Sequence, residues 1–276
     1  MPLVFNTLLA DAGIAPRDVR LLRHETKRHG RTPYSLWRDD LNGFDDYQRV
    51  QKRSRRSYFA SPFWAAFVVE PGGKTLFAGL SAVSSAGAIS DGWLDPISGR
   101  DTALLVDYEL YELVRQEALS CFVGRLVIDW GGGTRTWAQR ADKQDKTILA
   151  WRESFAEPAF PGHLAFVAQL SDLAALPNGW RAALAAARGV YLLTCPRTHE
   201  QYVGAATGVE GFLGRWTDYV ETGHGGNVGL KSRDPADYQV SILQVAGSAE
   251  DRADIEATEA LWKVKLQSRD MGLNRN

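Results

Sequence analysis

The sequence predicts an α+β chain in two parts. A strand-rich N-terminal α+β domain spans 1–157, and a C-terminal domain over 186–276 has a small antiparallel three-stranded sheet flanked by helices. Residues 158–185 are read as a linker and connecting helix. Three observations carry this. Short β-rich runs alternate with turn chemistry between about 60 and 145, and a β-β-α-β-α order follows after 186. The length of 276 residues with 45% hydrophobic content also suits two domains of roughly 100–200 residues, each with its own core.

Taken in order, the opening segment reads as a helix with Val4, Leu8 and Leu9 on one side and Pro16 entering the next turn. WAAFVVE, KTLFAGLSAV and GRLVIDW are apolar strands, separated by PGG, ISDG and GGGT turns. Between them VDYELYELVRQEALSCF places Leu110, Leu113, Leu119 and Phe122 among charges, which predicts an amphipathic helix. The glycines at 131–133 are expected to form a hairpin turn, because no GK[ST] follows them as a phosphate loop requires.

Pro158 and Pro161 interrupt regular structure, a helix is expected from about His163 to Leu173, and PNGW at 177–180 punctuates it. GVYLLTC and YVGAAT then make two strands, with a helix from about Glu210 to Glu221, an HGGN loop, a strand at DYQVSILQVA and a helix from about Glu250 to Gln267.

Composition excludes disorder and collagen, and no run approaches the roughly 20 apolar residues of a membrane span. The start lacks the basic and apolar regions of a secretory signal, so a cytoplasmic protein is expected. Cys121 and Cys195 stand far apart and outside any CxxC, which indicates neither a disulfide framework nor a zinc site. The net charge of -1 hides an asymmetry, since Arg17 to Arg56 holds 12 Lys and Arg against 6 Asp and Glu. Arg49, Lys52, Arg53, Arg55 and Arg56 form its densest run, either a solvated helix face or a track for DNA phosphates. Trp37, Trp64, Trp93, Trp130 and Trp137 offer stacking platforms for bases, although most are expected in the core.

Gly189-Val190-Tyr191 is followed after ten residues by Tyr202-Val203-Gly204, one triplet on each arm of a hairpin. Arg215 and Tyr219 lie at i and i+4 on the next helix, Glu259 lies on the last, and the segment SRDMGLNRN contains Asn274. This set resembles the GIY-YIG nuclease superfamily over about residues 186–276. The resemblance implies a GIY-YIG-like fold and hydrolysis of DNA phosphodiesters with one Mg²⁺ or Mn²⁺. It implies that Tyr191 is the general base or orients the attacking water with Tyr202 beside it. Arg215 would stabilise the transition state, Glu259 would hold the metal, and Tyr219 and Asn274 would support the pocket. In part of the superfamily a lysine follows the second motif's glycine, but that position here is Ala205.

The residue types suit this chemistry independently. A carboxylate supplies a hard oxygen for Mg²⁺, and a guanidinium forks onto phosphate. A phenol near a metal and a guanidinium can be drawn towards base function. Tyrosine pairs across a hairpin are also ordinary packing, and Glu259 with Lys263 is a routine helical surface pair. Yet Glu259 shares a row with Ile255, Trp262 and Leu266, and an unpaired carboxylate there needs a partner or a metal. His224 of the HGGN loop is a candidate for DNA contact and for proton transfer to the leaving group.

The expected partner is double-stranded DNA, with no membrane and a possible homodimer on DNA. A restriction or genome-defence endonuclease is the leading expectation, its N-terminal domain selecting the site or a base modification. A DNA-binding module with a decayed site and a repair or homing-type nicking enzyme are the alternatives.

Overall fold

Two separate sheets organise the chain in a computed structural model that describes residues 3–25, 31–89, 92–101, 107–132, 136–195, 197–223, 225 and 238–274. The chain divides into two compact units, one ending at Pro158 and the other beginning at Ala159. Among the described residues no helix is long and apolar enough to cross a membrane.

In the first unit, α1 (Phe5–Asp11) leads through a 3-10 turn at Pro16–Asp18 into β1 (Val19–His24). Helices α2 (Pro33–Asp39) and α3 (Leu41–Gln48) follow, and then β2 (Val50–Lys52) and α4 (Arg56–Phe59). The strands β3 (Phe63–Val69), β4 (Thr75–Gly87), β5 (Tyr108–Arg115), β6 (Leu126–Ile128), β7 (Ala138–Arg140) and β8 (Ile148–Trp151) complete it. The sheet runs β2-β5-β4-β3-β1-β7, with β6 joined to β4 and β8. Only the β1–β3 pair is parallel among the described ladders. β3 is a nearly continuous apolar run because both of its faces are covered. Phe67 packs with Phe5 and Phe77 on one side, whereas Ala66 and Val68 pack with Tyr34 and Phe44 on the other.

Three expectations for this unit are corrected. The amphipathic helix over VDYELYELVR is the strand β5, hydrogen-bonded to β2 and β4 on its two sides. Its alternation puts Glu109 and Tyr111 inward, and the buried Glu109 is satisfied by Arg56 and the Tyr111 hydroxyl, so tertiary pairing overrides the helical spacing. The glycines near 131 do not make a hairpin, because β6 and β7 pair with different neighbours. The basic run is no single helix face. It passes from the end of α3 through β2 and a 3-10 turn at Arg53–Arg55 into α4.

The second unit contains β9 (Val167–Gln169), α5 (Asn178–Ala186), β10 (Gly189–Thr194), β11 (Gln201–Ala206), α6 (Gly211–Thr222), β12 (Gln239–Val245) and α7 (Arg252–Lys265). Its sheet has four strands in the order β11-β10-β12-β9, so the expected three-stranded sheet gains an edge strand. That strand comes from the stretch expected to be helical. Residues 163–165 and 170–175 form 3-10 turns, and Val167 to Gln169 pair antiparallel with β12. Pro177 then stands at the N-terminus of α5, where its missing N–H does no harm, so PNGW opens a helix.

Strand alternation divides the side chains between two layers. Tyr191, Leu193 and Tyr202 pack with Phe212, Trp216 and Tyr219 of α6. Val190 and Val203, with Leu192 and Ala205, pack with Ile255 and Trp262 of α7 and with Leu266 just after it. Phe166, just before β9, stacks on Trp216 with centroids 5.7 Å apart and planes 11° from parallel.

Candidate active site

The antiparallel register of β10 and β11 sets Tyr191 opposite Gly204 and Leu193 opposite Tyr202. Tyr191, Tyr202 and Gly204 therefore share one face, and glycine is required opposite Tyr191. A Cβ at Gly204 would run into the Tyr191 hydroxyl and the edge of the Tyr202 ring. The ring of Tyr191 lies over that gap and reaches α6.

There its hydroxyl meets two partners. It shares a hydrogen bond of 2.8 Å with the Tyr219 hydroxyl and accepts one of 3.3 Å from Arg215 Nε. Arg215 Nη2 donates to the Tyr219 hydroxyl at 3.2 Å, and Nη1 donates to the Gly225 carbonyl at 2.9 Å. The guanidinium carbon lies 4.8 Å from the centroid of the Tyr219 ring. The i, i+4 spacing on α6 produces this stack, and the two phenols fix the orientation of the guanidinium. The Tyr202 ring meets Tyr219 edge-on at 6.4 Å.

Tyr191 and Tyr219 are fully buried, and burial pushes both phenols above their ordinary value, with Tyr202 adding to the shift and Arg215 opposing it. In this state burial therefore works against a Tyr191 phenol drawn down towards base function: both phenols are neutral, both accept from Arg215, and one donates to the other. For Arg215, burial opposes the charge, but the neighbouring Tyr191 and Tyr219 outweigh it and raise its pKa.

A polar cleft of about 1060 Å³ opens beside this cluster. Tyr202 and Arg215 line it, as do Glu259 and Lys263 from α7, but Tyr191 and Tyr219 do not. The two helices cover opposite faces of the sheet, so the cleft collects side chains from both faces around the free edge at β11. Glu259 is not unpaired as its row suggested. Lys263 Nζ lies 3.1 Å from its carboxylate, and both side chains are largely buried. Ala205 lines the same cleft, and Lys263, which the helical spacing alone makes a surface partner, is a wall residue. Its place next to Trp262 on the inward side of α7 was the available signal. Arg252 and Arg269 also line the cleft and were not singled out.

Asn274 occupies a different position from the cleft. Its Oδ1 accepts from Val203 N–H at 3.0 Å and its Nδ2 donates to Val203 C=O at 2.8 Å. The side-chain amide thus imitates a neighbouring strand along the free edge of β11 and holds the strand that carries Tyr202. His224 lies outside the described residues.

The basic run is only partly available. Arg49 donates to the Tyr111 carbonyl and to Asp46, Arg53 to the Tyr108 carbonyl, and Arg56 grips Glu109. Lys52 and Arg55 are exposed. Of the five tryptophans, Trp37, Trp64 and Trp130 are buried in the core, whereas Trp93 and Trp137 are half-buried.

Among the described residues no group of three His, Cys, Asp or Glu could form a protein cage for a metal ion. One carboxylate facing an open polar cleft is instead the donor set of a hard ion that keeps water and phosphate oxygens as its other ligands. Glu259 fits that description once Lys263 is displaced.

No family model matches the chain, and no curated protein matches it in sequence. Two solved structures are similar to part of it. A mutant of the catalytic domain of the intron endonuclease I-TevI covers 33% of this chain and 94% of its own, at 22% identity and a TM-score of 0.28. The catalytic domain of the homing endonuclease I-TevI covers 32% and 96%, at 23% identity and a TM-score of 0.27. The similarity is to endonuclease domains and is confined to about a third of the chain; at this level it assigns no role to any residue.

Proposed function

We propose that the chain is a metal-dependent DNA endonuclease, of restriction or genome-defence type, acting on double-stranded DNA in the cytoplasm. The observation that supports this best is the arrangement of Arg215. Its charge is held in a fixed orientation by Tyr191 and Tyr219 at the wall of a cleft that Tyr202 and Glu259 also line. A guanidinium preorganised in this way stabilises the charge that builds on phosphate oxygens during attack by water.

Within this reading the tyrosines divide their roles. Tyr202, which lines the cleft, orients the attacking water. Tyr191 and Tyr219 position Arg215, since both are buried and neutral. Asn274 positions Tyr202 through β11. Glu259 would hold the single Mg²⁺ or Mn²⁺, which when bound supplies Lewis-acid stabilisation of the phosphate and the departing oxygen. Lys52 and Arg55 are the members of the basic run free to follow phosphates, and the N-terminal unit selects the site or a modified base. One such cleft cuts one strand, so a double-strand break in a single event calls for a homodimer on DNA.

The test is cleavage of modified and unmodified phage DNA by the full chain with Mg²⁺, Mn²⁺ or EDTA. The reading expects metal-dependent cuts leaving 5′-phosphate and 3′-hydroxyl ends, with one substrate preferred, and a dimer by light scattering on DNA. Cleavage that persists in EDTA, or ends carrying a 3′-phosphate, would overturn it.

A further inference from the structure

The outward side of α7 is the reverse of what a surface helix ordinarily presents. Ile255 and Trp262, with Leu266 just after the helix, pack on the strands β10 and β11. At about 100° per residue the opposite side carries Ala253, Ala257, Ala260, Leu261 and Val264. All five are exposed, Leu261 to 51% and Val264 to 67%, so this apolar face has no cover among the described residues. The solvent side of a helix normally holds polar residues, and a helix that is apolar there too is built to be covered.

The pattern on this face selects its cover. Ala253, Ala257, Ala260 and Val264 recur at intervals of four, three and four, the seam spacing of paired helices. Their small side chains let two helix axes approach to about 8 Å. On one flank of the seam Asp254 stands in the first turn and Lys265 in the last, both exposed and neither in an ion pair among the described residues. Asp254 Oδ2 accepts from the Asp251 N–H at 3.0 Å, and the Lys265 ammonium lies 4.8 Å over the Trp262 ring.

A second copy of α7 running antiparallel complements both features. With the two-fold axis between positions 258 and 259, Ala253 meets Val264 of the second copy and Ala257 meets Ala260 of the second copy. Asp254 then comes within reach of Lys265 of the second copy, and the reverse contact follows by symmetry. A parallel copy would instead gather like charges at each end. Glu259 and Lys263 lie on the other flank, so each copy keeps them in its own cleft.

We propose that two copies of this chain pair through the outward face of α7, antiparallel and two-fold symmetric. This gives a contact surface to the homodimer that the nuclease reading calls for, and it rests on that reading only for its use in cutting both strands. One helix face against its copy buries less than the roughly 1,200 Å² of a standard interface, so the free chains associate weakly. Two copies held on one DNA associate more completely, because the second contact becomes intramolecular.

The experiment is equilibrium sedimentation of the full chain in EDTA without DNA, from about 1 to about 200 μM. Expected is a reversible monomer–dimer equilibrium with a Kd of about 10 μM. Ala257→Glu and Val264→Glu, each at an exposed position and melting like wild type, should weaken it by about tenfold or more. Lys265→Glu sets acid against acid and should weaken it about fivefold. Mixing Lys265→Glu chains with Asp254→Lys chains should restore association between unlike copies.

A chain that stays monomeric over the whole range overturns the proposal. So does a dimer that both seam variants leave as tight as wild type, which would assign the apolar face to a different partner. Failure of the charge-swapped mixture to recover overturns the antiparallel arrangement. Glu259→Ala should dimerise like wild type, so a failed nuclease site and a failed α7 interface give different results.

Discussion

Asn274 does with one side chain what a further strand would do for β11. Replacing it with alanine leaves both the N–H and the C=O of Val203 unmet in a buried position. Asn274→Ala is therefore expected to lower stability by about 2 kcal/mol in a urea titration and to reduce cleavage by displacing Tyr202. Lys263 works in the opposite sense. Its ammonium neutralises Glu259, so a divalent ion must displace it before the carboxylate can serve as a ligand. Lys263→Met is predicted to tighten Mn²⁺ binding in the absence of DNA roughly tenfold, read by calorimetry. Unchanged affinity would show that the pair does not compete with the metal.

These residues were legible in the sequence to different degrees. Tyr191, Tyr202, Arg215 and Tyr219 were identified from a motif spacing that is also a register, since a hairpin fixes who stands opposite whom. Their division into cleft wall and buried support was not visible, because it depends on how α6 crosses the sheet. Lys263 looks like half of a surface pair, and only its place next to Trp262 hints that its side chain is buried.

At the scale of elements, the misread segments share a physical cause. Residues 108–115 satisfy a helical spacing and a strand alternation together, and two neighbouring strands decide between them. Val167 to Gln169 is too short to announce a strand, yet it closes the sheet edge beside β12. The same segment supplies Phe166 against Trp216 and Leu170 and Leu173 to the common core. A fragment beginning at residue 186 is thus predicted to lack a cooperative thermal transition, whereas one beginning at 159 should fold and melt as a unit. Cooperative melting of the shorter fragment would show that β9 and α5 are dispensable. Of the strands of the first unit read as such, β6 is short, whereas β3 and β4 are long apolar runs joined by a Pro-Gly-Gly turn, the strongest kind of local signal.

At the scale of the whole molecule, the two units give separate handles on stability. His24 in the first is buried among Phe44, Tyr47 and Trp137, and burial lowers its pKa from 6.5 to about 4, against a smaller opposing effect of Gln48. Its folded-state value lies below its unfolded one, so the stability from the neutral ring is complete above pH 6.5 and is lost as pH falls through 4. The loss amounts to about 3 kcal/mol on complete protonation, at about 1.4 kcal/mol per unit of pKa. Denaturant titrations of wild type between neutral pH and pH 4 should show it, and His24→Phe should flatten that acid limb. A limb of the same steepness in the variant would assign the effect to other groups.

The division of labour ascribed to the two units depends on the cleft being a working nuclease site. The most direct measurement is the conversion of supercoiled plasmid by the full chain in Mg²⁺ and in EDTA, with wild type, Glu259→Ala and Arg215→Ala compared at equal DNA binding. Wild type should cleave in Mg²⁺ and not in EDTA, and each variant should lose about a hundredfold or more. Intact plasmid with wild type, or cleavage surviving in both variants, would contradict it.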